Sequence, residues 1–281
     1  FRGMIRHAMD AYGIWAERIY GGADDASALH AKFSHVVPLR PIIASGDDIC
    51  FLTFGQLGIE LARVFIQCLQ KEEIRIGDNS FQFEACAGAA IVRRKFPFWL
   101  AYEMADRLCA NAKRRLKEDA AFWKGTGSGK DEPYDASLID WELVQSGDAN
   151  LDLAVHRAQA YRAQDGARLV NRPYYLLRET DRIRRHPADY MSAFLPAVKL
   201  AAGSSGTRER GLVPPRSKWK ALLGVYDQGV TAVEQWRIQN QFDIGQMLFL
   251  QQEPVPEPAA YFYDAIEIMD HVIPLPEVKE Q

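Results

Sequence analysis

No two cysteines in this 281-residue chain are spaced as CxxC, and the four present (Cys50, Cys68, Cys86, Cys109) stand 18, 18 and 23 residues apart. That spacing excludes a zinc ribbon and fits reduced, buried thiols in a cytoplasmic protein. The six histidines (His7, His30, His35, His156, His186, His271) form no HxxxH and no cluster with cysteine, so no structural zinc is expected. No apolar run approaches the ~20 residues that a membrane-spanning helix needs; the uncharged stretch Phe96–Tyr102 is typical of the longest. No signal peptide is visible, the sequence opening at Phe1, and no internal repeat is found. What is present is ordinary globular material. Hydrophobic residues at 48% and charged residues at 25% exclude a disordered chain. The length suits more than one domain at roughly 100–200 residues each. A soluble, cytoplasmic protein without a membrane partner is expected.

The net charge of −3 hides an asymmetry. From Arg93 to Lys130 there are ten Lys/Arg against four Asp/Glu, a net of +6; from Ala221 to Gln281 there are two against ten, a net of −8. A basic segment followed by an acidic one is consistent with a phosphate-binding face, with two parts that dock on each other, or with solvated helix faces.

Periodicity supplies the elements. Ile5, Ala8, Met9, Tyr12, Trp15 and Ile19 recur at three- and four-residue steps, which predicts an amphipathic helix over 2–19, followed by a short helix over 24–33. The apolar runs His35–Ala44 and Ile49–Phe54 flank Ser45-Gly46-Asp47-Asp48 and read as a β-hairpin, its first strand made irregular by Pro38 and Pro41. A helix over about 57–69, a strand over Phe81–Val92 and a helix from Pro97 to Lys117 follow. The strand carries the small-residue patch Ala85–Ala90, which lets another element approach it closely. With one strand added before Phe1, the order becomes βαββαβ plus an extra helix, so the expected fold is α+β: a ferredoxin-like palm whose first strand is missing from the chain. Beyond it come a Gly-rich loop over 124–135, a strand at 138–144, a helix at 151–161, a flexible stretch over 203–215, and helices over 218–249 and 259–273. The expected domains are a palm over 1–120, an α/β extension over 121–216 and a helical region over 217–281.

The hairpin turn carries the chemistry. Asp47 and Asp48 sit where a turn presents adjacent carboxylates at one end of a sheet, able to hold Mg²⁺ or Mn²⁺ and leave coordination sites for phosphates. Gly46 would let a phosphate or base pass close to the backbone. The apolar flanks suggest strands buried on both faces, in which case two acids at the tip call for a cation. The structural alternative is that Gly and Asp are simply what hairpin turns use.

Arg40–Ile49, with Ser45-Gly46-Asp47-Asp48 at its centre, resembles the GGDD hairpin in the palm of the large subunit of type III CRISPR effector complexes. Cys86-Ala87-Gly88-Ala89-Ala90-Ile91-Val92, Lys95-Phe96-Pro97 and Asn111-Ala112-Lys113 are similar to further runs of that family, and Ser137–Trp141, Arg172-Pro173-Tyr174 and Ser217-Lys218-Trp219 to segments of its relatives. The resemblance implies a nucleotidyltransferase that condenses ATP into a cyclic oligoadenylate, a second messenger of antiviral defence. It implies Asp47 and Asp48 as catalytic ligands of two Mg²⁺ (or Mn²⁺), and Ser45, Gly46, Lys113 and Arg114 as nucleotide-binding residues. Lys113 would meet the triphosphate as a point charge, or else sit as a solvated helix end near the C-terminal dipole. Nucleoside triphosphates, a homodimer or second palm-containing partner, and an RNA-guided effector complex are the implied partners. Two departures stand out: Ser45 replaces the first Gly of GGDD, and the strand that supplies the family's other metal-binding Asp is not in the sequence, Asp10 lying on a helix. A non-catalytic palm serving as scaffold or nucleotide sensor is the main alternative. A diguanylate-cyclase-like enzyme using GTP is another, although the turn is not GGDEF and no RxxD precedes it.

Other patterns carry less. Gly125-Thr126-Gly127-Ser128-Gly129-Lys130 lacks both the first glycine and the Ser/Thr of a P-loop. Arg182–His186 reads as a basic surface turn, and Tyr174, Tyr175, Trp219 and Trp236 as core anchors.

Overall fold

The computed structural model describes residues 37–125, 136–144, 152–176, 191–201, 215–241, 258–273 and 275. The helices expected over 2–19 and 24–33, Asp10, the loop over 126–135 and the basic turn Arg182–His186 lie outside the described residues. The chain is a mixture of helix and strand. In order, β1 (Leu39–Ser45), β2 (Asp48–Thr53), α1 (Gly55–Gln70), β3 (Glu73–Ile76), β4 (Asn79–Gln82), β5 (Cys86–Val92), α2 (Phe98–Gly125), β6 (Ser137–Val144), α3 (Leu153–Ala160), β7 (Tyr174–Leu176), α4 (Met191–Ala201), α5 (Arg216–Tyr226), α6 (Val230–Gln239) and α7 (Pro258–Ile268) follow one another.

Among the described residues the strands form three small sheets. β1 and β2 form the expected hairpin, with a register shift between Pro41 and Ile43 where proline withholds a donor from the ladder. β3 and β4 form a second hairpin. The third sheet has the order β5-β6-β7: β5 pairs with β6 in parallel, and β6 with β7 antiparallel. This sheet joins residues 86–92 to 137–144, across the boundary expected near residue 120.

Alternation along β5 assigns its two faces. Ala85, Ala87, Ala89 and Ile91 pack with Ile59 and Ile66 of α1 and with Ile139 and Trp141 of β6. Ala90 and Val92 pack with Met104 and Leu108 of α2, and Cys86 with Ala112. Helices therefore cover both faces of β5. The small-residue patch explains the tightness of the second contact: a Cβ on Gly88 would lie 2.1 Å from the Ala105 carbonyl oxygen and 2.5 Å from the Cys109 nitrogen of α2. The element that approaches this strand is a helix of the same chain.

Several boundaries differ from the sequence reading, each for a local reason. The strand expected over 81–92 breaks into β4 and β5. The break holds Glu84, whose carboxylate accepts hydrogen bonds from Gln70 Nε2 (2.8 Å) and Ser137 Oγ. α2 continues to Gly125 instead of ending at Lys117. Within the described part of 218–249 the expected helix is interrupted, α5 and α6 being separated by Gly229 (φ +101°) and by Asp165, which accepts from the Val230 backbone N–H at 2.8 Å. Asp152 caps α3 by accepting from the Ala154 and Val155 N–H groups.

The far end of the chain folds back on α1. Glu60 and Arg63 are buried there as a pair at 3.0 Å; Glu60 accepts from the Leu275 N–H at 2.6 Å, and the Ile273 N–H donates to the Gln56 carbonyl at 2.9 Å. Tyr174, Tyr175 and Trp219 are fully buried, as core anchors should be, and Trp236 packs against the same core. None of the four cysteines is in a disulfide, and all are half-buried, less enclosed than expected.

Candidate functional site

The turn between β1 and β2 is two residues long, since Ser45 pairs with Asp48. Gly46 holds φ +62° at the first turn position, the arrangement of a type II′ hairpin, which suits the twist of the flanking strands. A Cβ built on Gly46 meets nothing within 4 Å. Glycine is thus required here by the backbone angle and not, within this chain, by space. Ser45, Gly46, Asp47 and Asp48 are all exposed.

That exposure corrects one expectation. The strands beside the turn are not buried on both faces: of β1 only Leu39 is buried, and no residue of β2 is. The hairpin has two strands, and one side of it supplies the packing, Phe51 meeting Leu39, Leu57, Leu61, Val64 and Leu275. Two carboxylates at its tip are solvated, so burial does not demand a cation to neutralise them. What remains is a pair of exposed, adjacent carboxylates at a tight turn, a donor set that suits a hard divalent cation keeping part of its water shell.

Alternation places Asp48 with Cys50 and Leu52, on the face opposite Phe51. The Cys109 thiol is pushed up by burial, drawn down by Lys113, and raised further by Asp106 and Asp48. Asp48 and Lys113, 65 positions apart, thus both bear on the charge of one α2 thiol. Lys113 is not the end of a helix, as expected, but lies about three turns before Gly125, too far for the C-terminal dipole to reach. Arg114 donates to Asn111 Oδ1 at 2.6 Å and to Glu118 Oε1 at 2.9 Å. Arg115 turns the other way, donating to the Asn171 carbonyl at 2.8 Å and the Pro173 carbonyl at 2.5 Å, and stacking over Tyr175. The basic run on α2 is thus divided: Lys113 and Arg114 face solvent, and Arg115 fastens the helix to the segment that leads into β7.

The sequence reading missed a buried polar assembly. On β6, Asp140 and Glu142 share one face and are both fully buried. Arg157 of α3 grips Asp140 with two nitrogens at 3.0 and 2.9 Å and donates to Glu142 at 2.9 Å. Arg172, also fully buried, reaches Glu142 (3.1 Å) and two acids of α7, Asp264 (2.7 Å) and Glu267 (2.6 Å). The Tyr161 hydroxyl lies between Glu142 and Glu267 at 2.6 and 2.9 Å. Burial alone would raise the Glu142 carboxyl, but Arg172, His156, Arg157 and Tyr161 outweigh it and hold the group below its ordinary value. The guanidinium of Arg172 loses hydration by the same burial and is nonetheless held charged by Glu267, Glu142 and Asp264. These carboxylates are committed to guanidinium groups and are not open to a metal. The acidic C-terminal part of the chain thus spends Asp264 and Glu267 on Arg172, not on the basic run of α2.

The signal for β6 was present. In Ser137–Val144 the two acids stand two apart within an otherwise apolar strand, a pattern that forces both carboxylates to find buried partners. Among the described residues, no group of three or more His, Cys, Asp or Glu side chains is placed to hold a metal ion. Among the same residues, no helix is long and apolar enough to cross a membrane. In comparisons with known proteins, no family model and no curated protein matches this chain.

Proposed function

We propose that this chain is a palm-type nucleotidyltransferase that condenses ATP into a cyclic or linear oligoadenylate, a second messenger in CRISPR-type or related antiviral defence. Asp47 and Asp48 are the residues that would hold Mg²⁺ or Mn²⁺. Ser45 and Gly46 border the triphosphate, and Lys113 and Arg114 meet its charge. Divalent ions bound there would supply activation of the 3′-hydroxyl and relief of the charge that builds on the α-phosphate and departing pyrophosphate. The chain's own task is to bind and orient: α2 offers two solvent-facing cations, and the turn offers two solvent-facing carboxylates. Joining two nucleotides calls for a second bound nucleotide, supplied by a homodimer or a palm-containing partner in a larger effector complex. ATP as substrate fits a cytoplasmic site of action.

The observation that carries this reading is the hairpin. A type II′ turn presents Asp47 and Asp48 together, both exposed to solvent. A second reading, a palm that binds nucleotide as a sensor or scaffold without turning it over, is favoured by the small donor set. Among the described residues, no third carboxylate, histidine or cysteine joins Asp47 and Asp48.

The test is incubation of the protein with Mg²⁺ or Mn²⁺ and each labelled nucleoside triphosphate, alone and with cell lysate, beside an Asp47→Ala/Asp48→Ala variant. An oligoadenylate that disappears in the variant supports the enzyme. Nucleotide binding without product under every condition supports the sensor, and product from GTP alone would reassign the substrate.

A further inference from the structure

Arg114 is long, exposed and flexible by nature, and such a side chain loses entropy when it must hold a phosphate. In this structure it is already held. Its Nη2 donates to Asn111 Oδ1 at 2.6 Å and its Nη1 to Glu118 Oε1 at 2.9 Å. Residues 111, 114 and 118 follow one stripe of α2 at steps of three and four, so helix geometry alone brings them together.

Asn111 is the unusual member. Its Nδ2 donates to Asp140 Oδ2 at 2.7 Å, and Asp140 is fully buried on β6. Asp140 is itself fixed from three other directions: by Arg157 Nη1 (3.0 Å), Arg157 Nη2 (2.9 Å) and the Trp141 backbone N–H (2.9 Å). An ionised carboxylate only accepts and a guanidinium only donates, so the group between them must donate on one side and accept on the other. An amide does both at once. Aspartate at 111 would set an acceptor against the Asp140 carboxylate, and leucine would offer nothing to either side.

We propose that Asn111 is a positioning residue that ties the exposed phosphate-binding face of α2 to the buried ionic network, holding the Arg114 guanidinium in one place beside Lys113 before nucleotide arrives. The proposal rests on the nucleotide reading above for its ligand. Affinity gained this way comes from preorganisation and not from a new contact with the ligand.

The experiment is a double-mutant cycle on Mg·ATP binding with Asn111→Leu, Arg114→Ala and the double variant, alongside the side-chain Nε order of Arg114 by NMR in wild type and Asn111→Leu. A charged hydrogen bond is worth about 1.5–3 kcal/mol, so Arg114→Ala should weaken binding roughly tenfold to a hundredfold. Asn111→Leu should weaken it by about three- to tenfold, and the double variant should match Arg114→Ala alone, because Asn111 acts through Arg114. Arg114 should lose Nε order in Asn111→Leu. Should Asn111→Leu unfold, Asn111→Ser, which shortens the side chain without adding bulk, takes its place in both measurements. Losses that add across the cycle, or an Asn111 variant that binds as wild type while Arg114→Ala does not, would overturn the proposal. If wild type binds no nucleotide, the reading of the site fails. The Nε order then decides the positioning role alone, and unchanged order in the Asn111 variant overturns it.

Discussion

The hairpin turn and the network around Arg172 are both built from acids, yet they are opposites in what their charges are free to do. Around Arg172 the carboxylates of Glu142 and Asp264 are fully buried and that of Glu267 partly so, and all are engaged by arginine, tyrosine or backbone donors. At the turn, Asp47 and Asp48 stand in water at the end of a two-stranded ladder. Buried charges of the first kind are held by the fold and leave no capacity for a ligand. The second kind contribute little to the fold and remain available. Function is therefore sought where the charges are solvated and open to a ligand, not where they are most perturbed.

That contrast is broken most severely by Arg172→Leu. It leaves Glu142, Asp264 and Glu267 without their shared cation, and removing one partner of a buried ionic group costs about 3–5 kcal/mol. Urea denaturation should show a loss of that size or no cooperative folding at all, whereas Asp47→Ala/Asp48→Ala should stay within about 0.5 kcal/mol of wild type. Equal losses in the two variants would erase the distinction.

The two glycines that shape the site separate next. Gly88→Val drives a side chain into the backbone of α2 and should cost about 1–3 kcal/mol or more. Gly46→Ala meets no neighbour and bears only the strain of φ +62°, about 1–2 kcal/mol, so its denaturation midpoint should fall less.

Acid gives a finer test. Because Glu142 is held below its ordinary value of 4.5 in the folded protein, its contribution is fully present above that pH and is lost as pH falls below 4.5 toward the lowered value. Between pH 7 and 3, stability measured by urea midpoints should fall less steeply in Glu142→Gln than in wild type. Parallel curves would mean that Glu142 titrates normally.

How much of this could be read in the sequence depends on how local each signal was. The hairpin was legible because Ser-Gly-Asp-Asp between two apolar runs is a short-range code, and the small-residue patch at 85–90 announced a close approach that Gly88 makes to α2. The hairpin β3–β4 escaped because its strands are four residues each, although Glu73-Ile74-Arg75-Ile76 does alternate. The exposure of β1 and β2 escaped because apolar composition states what a strand would bury, not what is there to cover it. Arg172 read as part of a short motif, and its partners Asp264 and Glu267 lie 92 and 95 positions away, where no spacing rule reaches.

The most direct test of the contrast is Mn²⁺ titration by electron paramagnetic resonance, with and without ATP, on wild type and on Asp47→Ala/Asp48→Ala. The expected result is an ATP-dependent Mn²⁺ site in wild type that is lost in the variant while the denaturation midpoint stays put. Identical Mn²⁺ binding in the two proteins would contradict it and place the charges available for a ligand somewhere other than the turn.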